Sequence, residues 1–493
     1  MSKSVIKEFE FGSVKIIDCY KKWTLNLTDI VSNSNKYYTL EILETDRGFV
    51  LYTNYGRVGG TAAKEYRECS DRSDAEHEAE KIIKSKLKKG YVEVKLTQVA
   101  VGSDVAKSKI EVSVVSVKDL QKIGVKVVET EPSKLHPQVA DLIRTWFGVT
   151  ADFIEMNLDI KKCPLGALSA DQIIKGKDIL LEAQKIIHSS NDMAELNKLT
   201  SLYYSNIPHN FGYKRINVDA LRLDNDDKVL KAQDILDVFS NAKDVEKVIS
   251  KKSNVDSQYS TLHSDLEWLD PTTPTWKWID AMFHKTRAHN HHFLGNMKVH
   301  KIFKINRHNE YKLFLQTAEK ISQECGRSNP SSVYAQLVKE RPDVPNELKS
   351  LYEKANILPG WHGTRRANAI GITKNGLLIR PSGVVHAGSA FGDGCYWATN
   401  STKSINYCDV RGSYWAQGNN KTAYLFLADV AYGNYKYANG TYFYTKQNIR
   451  PAHSVFAQAG KGGTINDELI TYVQSGVGQQ HMLKYIIEFE TKC

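Results

Sequence analysis

The chain has 493 residues, 41% hydrophobic and 25% charged, with a formal net charge of +10. These proportions are ordinary for folded proteins and call for no long disordered region, while the length suggests two to four domains. No apolar run reaches about 18 residues, the opening MSKSVIKEFEFGS lacks the apolar core of a secretory signal, and seven scattered cysteines form no C-x-x-C pair, which argues against a membrane span, secretion, a zinc ribbon and a disulfide framework.

The first territory, residues 1–105, opens strand-rich. KYYTLEIL (Lys36–Leu43) and GFVLYTNYG (Gly48–Gly56) flank the polar turn ETDR and predict a hairpin. Ser73–Lys89 then places Ala75, Ala79, Ile82, Ile83 and Leu87 at helical spacing, acids early and lysines late, as the helix dipole favours. From Lys81 to Lys95 there are six lysines against the single acid Glu93, a locus for the positive excess.

Residues 106–131 alternate Val, Ser and Lys with few large side chains and read as a linker. The second territory, 132–250, is helical. Pro137 suits a first turn and Val139, Leu142, Ile143, Trp146 and Phe147 share one face. Ser169 with Gln172 makes a capping-box pattern ahead of Ile173, Gly176, Leu180, Ala183 and Ile187, and further helical runs follow at Met193–Tyr204 and Lys228–Phe239.

The third territory, 255–493, mixes helices with strands such as MKVHKIFKI (Met297–Ile305), TAYLFLADVAYG (Thr422–Gly433) and MLKYIIEFE (Met482–Glu490). A glycine-rich loop, RPSGVVHAGSAFGDG (Arg380–Gly394), has the size that borders a site. The fold class expected is multidomain α+β: a small sheet-plus-helix domain, an all-α bundle and a mixed α/β domain.

Within the third territory, WHGT sets His362 between a bulky aromatic and a glycine, FGDGCYWATNSTKSINYC supplies Tyr396, Lys403, Ser404 and Tyr407, and NDELITY starts a strand with Glu468. Singly, the histidine and tyrosines have an ordinary structural reading as core side chains. His289, His291 and His292 invite a metal reading, but no carboxylate or cysteine stands at ligand spacing, so no metal is expected.

As an ordered set, WHGT, Gly376-Leu377, FGDGCYWA, KSINYC and NDELITY resemble the catalytic signatures of the poly(ADP-ribose) polymerases. CPLGALS (Cys163–Ser169) and IPHNFG (Ile207–Gly212) resemble landmarks of that family's helical regulatory domain, and NYGRVGG resembles its WGR motif, Tyr55 standing for the usual tryptophan. The match is to compact members without zinc fingers. It implies NAD+ as substrate, no metal, and a His-Tyr-Glu triad at His362, Tyr396 and Glu468. NAD+ contacts carry over to His362, Gly363, Thr364, Asn368, Arg380, Tyr396, Lys403, Ser404 and Tyr407.

In that reading His362 anchors a ribose hydroxyl, Gly363 and Ser404 hold the carboxamide, and Tyr407 and Tyr396 flank the nicotinamide. Glu468 draws a proton from the incoming hydroxyl. DNA contacts carry over to Tyr55, Arg57, Lys84, Lys86 and Lys88. The resemblance implies a nuclear, break-stimulated polymerase in DNA repair that modifies proteins including itself, as a monomer or a DNA-induced assembly, with no membrane partner. A mono-transferase and a silent DNA-end scaffold stay open beside it. Three departures stand out: Asn466 replaces an aromatic, Leu378 an arginine, and the segment before WHGT is extended.

Overall fold

In the computed structural model the described residues are 16–58, 60–94, 133–157, 169–209, 211, 216–249, 255–294, 296–307, 310–325, 341–379, 390–416, 418–474 and 478–491. The linker 106–131, most of CPLGALS, Asn210 and Gly212 of IPHNFG, Arg380 and most of the glycine-rich loop lie outside them. Among the described residues, 16–94 and 151–247 fall in one compact unit, and 133–150 and 255–491 in another.

In the first unit, β1 (Ile16–Asp29), β2 (Ser34–Thr45), β3 (Gly48–Arg57), β4 (Ala63–Cys69) and β5 (Val92–Glu93) form an antiparallel sheet in the order β4-β3-β2-β1-β5. The expected hairpin is present, with Leu43 opposite Val50 and Tyr38 opposite Tyr55. Alternation turns Tyr38, Leu40 and Ile42 inward onto a helix, Arg72–Lys88, that buries Ala75, Ala79 and Ile83. Its start is fixed by Asp71, whose side chain accepts from the Asp74 N–H. Leu87, one turn beyond Ile83, stays 44% exposed.

The helices Ala170–His188 and Met193–Asn206, and Asp226–Ile249 as far as residue 247, belong to this unit as well. Ser169 caps the first by accepting from Gln172 N at 3.2 Å, while the buried Gln172 amide donates to Asn206 O at 2.9 Å. The helix Met193–Asn206 is joined to the sheet through polar contacts: Asn26 Nδ2 donates to Tyr204 O (3.0 Å) and the Thr28 N–H to Ser205 Oγ (2.8 Å). Such buried, paired polar contacts fix a register that apolar packing alone leaves loose.

The second unit centres on a nine-stranded sheet. Its strands are β6 (Ser264–Trp268), β7 (Met297–Arg307), β8 (Ile357–Gly363), β9 (Cys395–Ala398), β10 (Thr422–Ala431), β11 (Tyr435–Tyr437), β12 (Ser454–Ala457), β13 (Glu468–Thr471) and β14 (His481–Thr491). Their order is β11-β12-β13-β9-β8-β10-β14-β7-β6. Near-continuous apolar runs in β10 and β14 match their burial on both faces. The start of the helix Pro137–Asn157 packs in this unit, Trp146 meeting Tyr424 edge-on at 5.4 Å between centroids.

A buried ionic network holds the chain that returns before β8. Arg341 makes a bidentate pair with Asp343 (3.0 and 2.9 Å) and reaches Asp429 at 2.7 Å; Lys484 lies 2.6 Å from Asp343, and Tyr352 and Tyr485 donate to Asp429 and Asp343. Burial alone would raise the Asp343 carboxyl, but Arg341 and Lys484 hold it well below the usual carboxylate range.

Candidate active site

The site is assembled by strand pairing. β13 pairs antiparallel with β9, setting Glu468 opposite Ala398 and Ile470 opposite Tyr396; β9 meets β8 at Trp361 opposite Ala398. Residues from three segments, the outer two about a hundred positions apart, thus occupy neighbouring strands. Trp361 goes wholly into the core, and His362 comes next along β8.

His362 sets its Nδ1 3.3 Å from the Tyr396 carbonyl oxygen. Burial lowers its pKa, with that hydrogen bond opposing. A neutral ring facing a carbonyl through Nδ1 carries its proton there, which leaves Nε2 as an acceptor. The histidine therefore suits a ligand hydroxyl that donates.

Gly363 has a steric reason to lack a side chain. An added Cβ would lie 1.8 Å from the Ser404 carbonyl oxygen and 2.6 Å from its carbon. Ser404 is buried in the helix Ser401–Ile405, which Ser401 Oγ anchors by donating to Phe283 O at 2.7 Å. Beside it, Asn368 Nδ2 donates to Thr364 Oγ1 (3.1 Å), and the buried Asn368 Oδ1 has no partner among the described residues. That orphaned acceptor fits a donor on a bound molecule.

Tyr396 is held by its own loop: its hydroxyl donates to Gly392 O at 2.7 Å and accepts from the Phe391 N–H at 3.1 Å. Gly392, at φ +86°, lies where a Cβ would meet Tyr444 O at 2.0 Å. Tyr407 is 37% exposed, and its ring stacks at 17° on Trp415, 6.3 Å between centroids. Burial pushes the Tyr407 hydroxyl up, with Glu468 adding to the effect.

Glu468 is paired. Lys403 Nζ stands 3.2 Å from its Oε1 and donates to the carbonyls of Asn466 (3.1 Å) and Asp467 (3.2 Å). Burial raises the Glu468 pKa against the pull of Lys403, and burial lowers Lys403 against the pull of Glu468. Lys403, expected among the NAD+ contacts, thus sits against the acid itself. Asn466 Nδ2 lies 3.2 Å from His291 Nε2, whose Nδ1 is 3.0 Å from Thr402 Oγ1. Among the described residues no group of three His, Cys, Asp or Glu could hold a metal ion.

Sequence reasoning missed Asp409. It accepts from the Arg366 N–H (3.0 Å) and from Asn420 Nδ2 (2.8 Å), tying the turn after WHGT to the loop before β10. No local pattern marks an acid whose partners lie 43 and 11 residues away. Of the residues expected at DNA, Tyr55 stacks on Tyr38 at 4.9 Å and donates to Glu65, and Lys86 lies 3.9 Å over the Tyr38 ring. Arg57 donates to Asn33 O at 2.7 Å, while Lys84 and Lys88 are exposed. Arg380 lies outside the described residues.

Histidine, tyrosine and glutamate thus stand on three neighbouring strands of a mixed α/β domain, and comparison with known proteins says which class of domain it is. Residues 274–482 match the family model described as poly(ADP-ribose) polymerase catalytic domain, 133–265 the poly(ADP-ribose) polymerase regulatory domain, and 21–98 the WGR domain. The chain belongs to the poly(ADP-ribose) polymerase family. It is 24% identical over 93% of its length to a "Poly [ADP-ribose] polymerase" of Drosophila melanogaster, covering 42% of that protein. It is 28% identical over 84% of its length to "Protein mono-ADP-ribosyltransferase PARP3" of Homo sapiens, covering 72%. It is 25% identical over 83% of its length to "Poly [ADP-ribose] polymerase 2-A" of Oryza sativa subsp. japonica, covering 57%. The chain spans about two-fifths of the first of these relatives.

Proposed function

We propose that the protein transfers ADP-ribose from NAD+ to protein acceptors, itself included, and extends the first unit into a chain. The observation that supports this is the placement of His362, Tyr396 and Glu468 on the neighbouring strands β8, β9 and β13, with the Gly363 backbone close against Ser404. Breaking the nicotinamide bond develops oxocarbenium character at the ribose, so the groups that matter are those that hold the sugar and deprotonate the acceptor.

His362 Nε2 accepts from a ribose hydroxyl of NAD+. Gly363, free of a side chain, lets its backbone groups and Ser404 hold the carboxamide, and Tyr407 lies along the nicotinamide ring with Tyr396 opposite. Glu468 takes the acceptor proton as the hydroxyl attacks the ribose carbon and nicotinamide leaves. Lys403 opposes the rise in pKa that burial imposes on that acid. The glutamate supports chain extension over single transfer; the name of the human relative keeps single transfer as the specific alternative.

The same reading divides the chain into a WGR-like DNA-binding domain (1–105), a linker (106–131), a helical regulatory domain (132–250) and the transferase (255–493), acting in the nucleus on broken DNA. The exposed Lys84 and Lys88 supply phosphate contacts. The bonds from Asn26 and Thr28 to Tyr204 and Ser205 give DNA bound at the sheet a rigid connection to a regulatory helix. DNA that binds one arrangement of that helix more tightly shifts the population able to take NAD+.

The test is incubation with labelled NAD+, with and without nicked DNA, comparing wild type with Glu468→Gln. A DNA-stimulated high-mass smear that collapses to short adducts in the variant is expected. A single discrete adduct from wild type would establish a mono-transferase, and no label in either condition a silent scaffold.

A further inference from the structure

From Val430 to Asn466 the sequence contains four lysines and arginines, Lys436, Lys446, Arg450 and Lys461, and no acid, together with seven aromatic side chains. This stretch spans β11, β12 and the loops around them, the end of the sheet beyond Glu468.

The register places Lys436 and Val455 on the face that carries Tyr396 and Glu468. Lys436 pairs with Val455, Val455 with Ile470, and Ile470 with Tyr396, so one cross-strand row runs from the site tyrosine to an edge lysine. At about 4.8 Å between strands, β11 lies roughly 10 Å from the Glu468 strand. It lies on the side away from β8, which carries His362. NAD+ held at His362 therefore leaves this side of Glu468 to the acceptor.

The loop 438–450 packs onto that face with Ala438, Tyr444 and Ile449 inward beside Phe391 and Val455. Tyr442 and Phe443 turn outward, 60% and 55% exposed. The loop is well fixed: the Tyr442 N–H donates to Ala390 O (3.1 Å), Asn448 Nδ2 to Phe443 O (3.1 Å), and Lys436 Nζ to Asn448 O (2.8 Å). Gly463, two residues after Lys461, passes so near that a Cβ on it would lie 3.4 Å from Gly440 Cα. Nearby acids are engaged, Asp467 by the Ala459 N–H and Glu324 by His453. Adjacent exposed aromatics on a pinned loop among cations are what flat bases joined by phosphates recognise.

We infer that Tyr442 and Phe443, with Lys446, Arg450 and Lys461, form an outer binding surface for the growing ADP-ribose chain, whose adenines stack on the rings and whose pyrophosphates meet the cations. Single-stranded nucleic acid shares this chemistry. The chain is the occupant favoured because the loop that carries the rings packs onto the sheet face of Tyr396 and Glu468, where that chain is made. The inference rests on the transferase reading above.

The experiment measures fluorescence anisotropy of an end-labelled ADP-ribose oligomer, and of an oligo(dA) of matched charge, on the full chain carrying Glu468→Gln. Adding Tyr442→Ala with Phe443→Ala should weaken the ADP-ribose oligomer at least about tenfold. Tyr442→Phe with Phe443→Tyr should retain binding, which separates stacking from misfolding. Lys446→Ala and Lys461→Ala should each reduce the salt slope by about 0.7. Unchanged affinity in the double alanine variant would overturn the inference. So would oligo(dA) binding as tightly with the same loss, which would make this a general single-strand surface. The assay needs no NAD+ turnover, so an inactive enzyme would defeat the transferase reading without touching the binding result.

Discussion

Gly363→Ala puts the site geometry under direct load. The new Cβ would stand 1.8 Å from Ser404 O. That is roughly 1.5 Å short of ordinary van der Waals contact, and the obstacle is backbone rather than a side chain that can swing away. Neither partner yields easily. Gly363 is in register with Leu425 of β10, and the Ser404 helix is anchored by Ser401 Oγ on Phe283 O (2.7 Å) and by the Ala288 N–H on Thr402 Oγ1 (2.9 Å). Overpacking of this kind costs about 3 kcal/mol, and an ångström of misplacement at reacting groups costs about a hundredfold in rate. We expect kcat/KM for NAD+ to fall about a hundredfold, with the transition shifted down in a thermal melt. The control is Gly148→Ala, in the helix Pro137–Asn157, where a Cβ meets nothing within 4 Å. It should gain about 0.5–1 kcal/mol of stability. A Gly363→Ala enzyme with wild-type kcat/KM would refute the close packing of β8 on the Ser404 helix and the role given to that glycine.

Lys403→Met removes the cation that opposes burial at Glu468, so the carboxyl rises further above its ordinary range. Because the acid acts ionised, the acid limb of the pH profile of kcat/KM should move to higher pH; a limb that stays or moves down contradicts the pairing. Asp343, held low by Arg341 and Lys484, contributes stability that is present above its unfolded pKa of about 3.9 and lost as pH falls through its folded value. Asp343→Asn should therefore flatten the acid side of a stability curve and cost about 3 kcal/mol at neutral pH by urea titration. An unaltered curve would show the network to be idle. In DNA-binding titrations, Lys84→Ala and Lys88→Ala should each lower the salt slope by about 1, uniformly across sequences.

The sequence by itself determined the local elements and the cast of the site. Period-two alternation in Lys36–Leu43, helical spacing from Ala75 to Ile83, and the Ser169 cap each act within a few residues, so their physics is readable along the chain. The ordered fragments around His362, Tyr396 and Glu468 likewise name the participants. Only the tertiary structure decided what those participants touch. That Lys403 pairs with Glu468, that His362 Nδ1 meets the Tyr396 carbonyl, and that Asn466 faces His291 depend on how β8, β9 and β13 align and on how the helix Ser401–Ile405 and the loop of His291 pack beside them. Arg341 and Asp429, 88 positions apart, show the same limit. Register between distant strands is set by the summed packing of the whole sheet, and no window of sequence contains that sum.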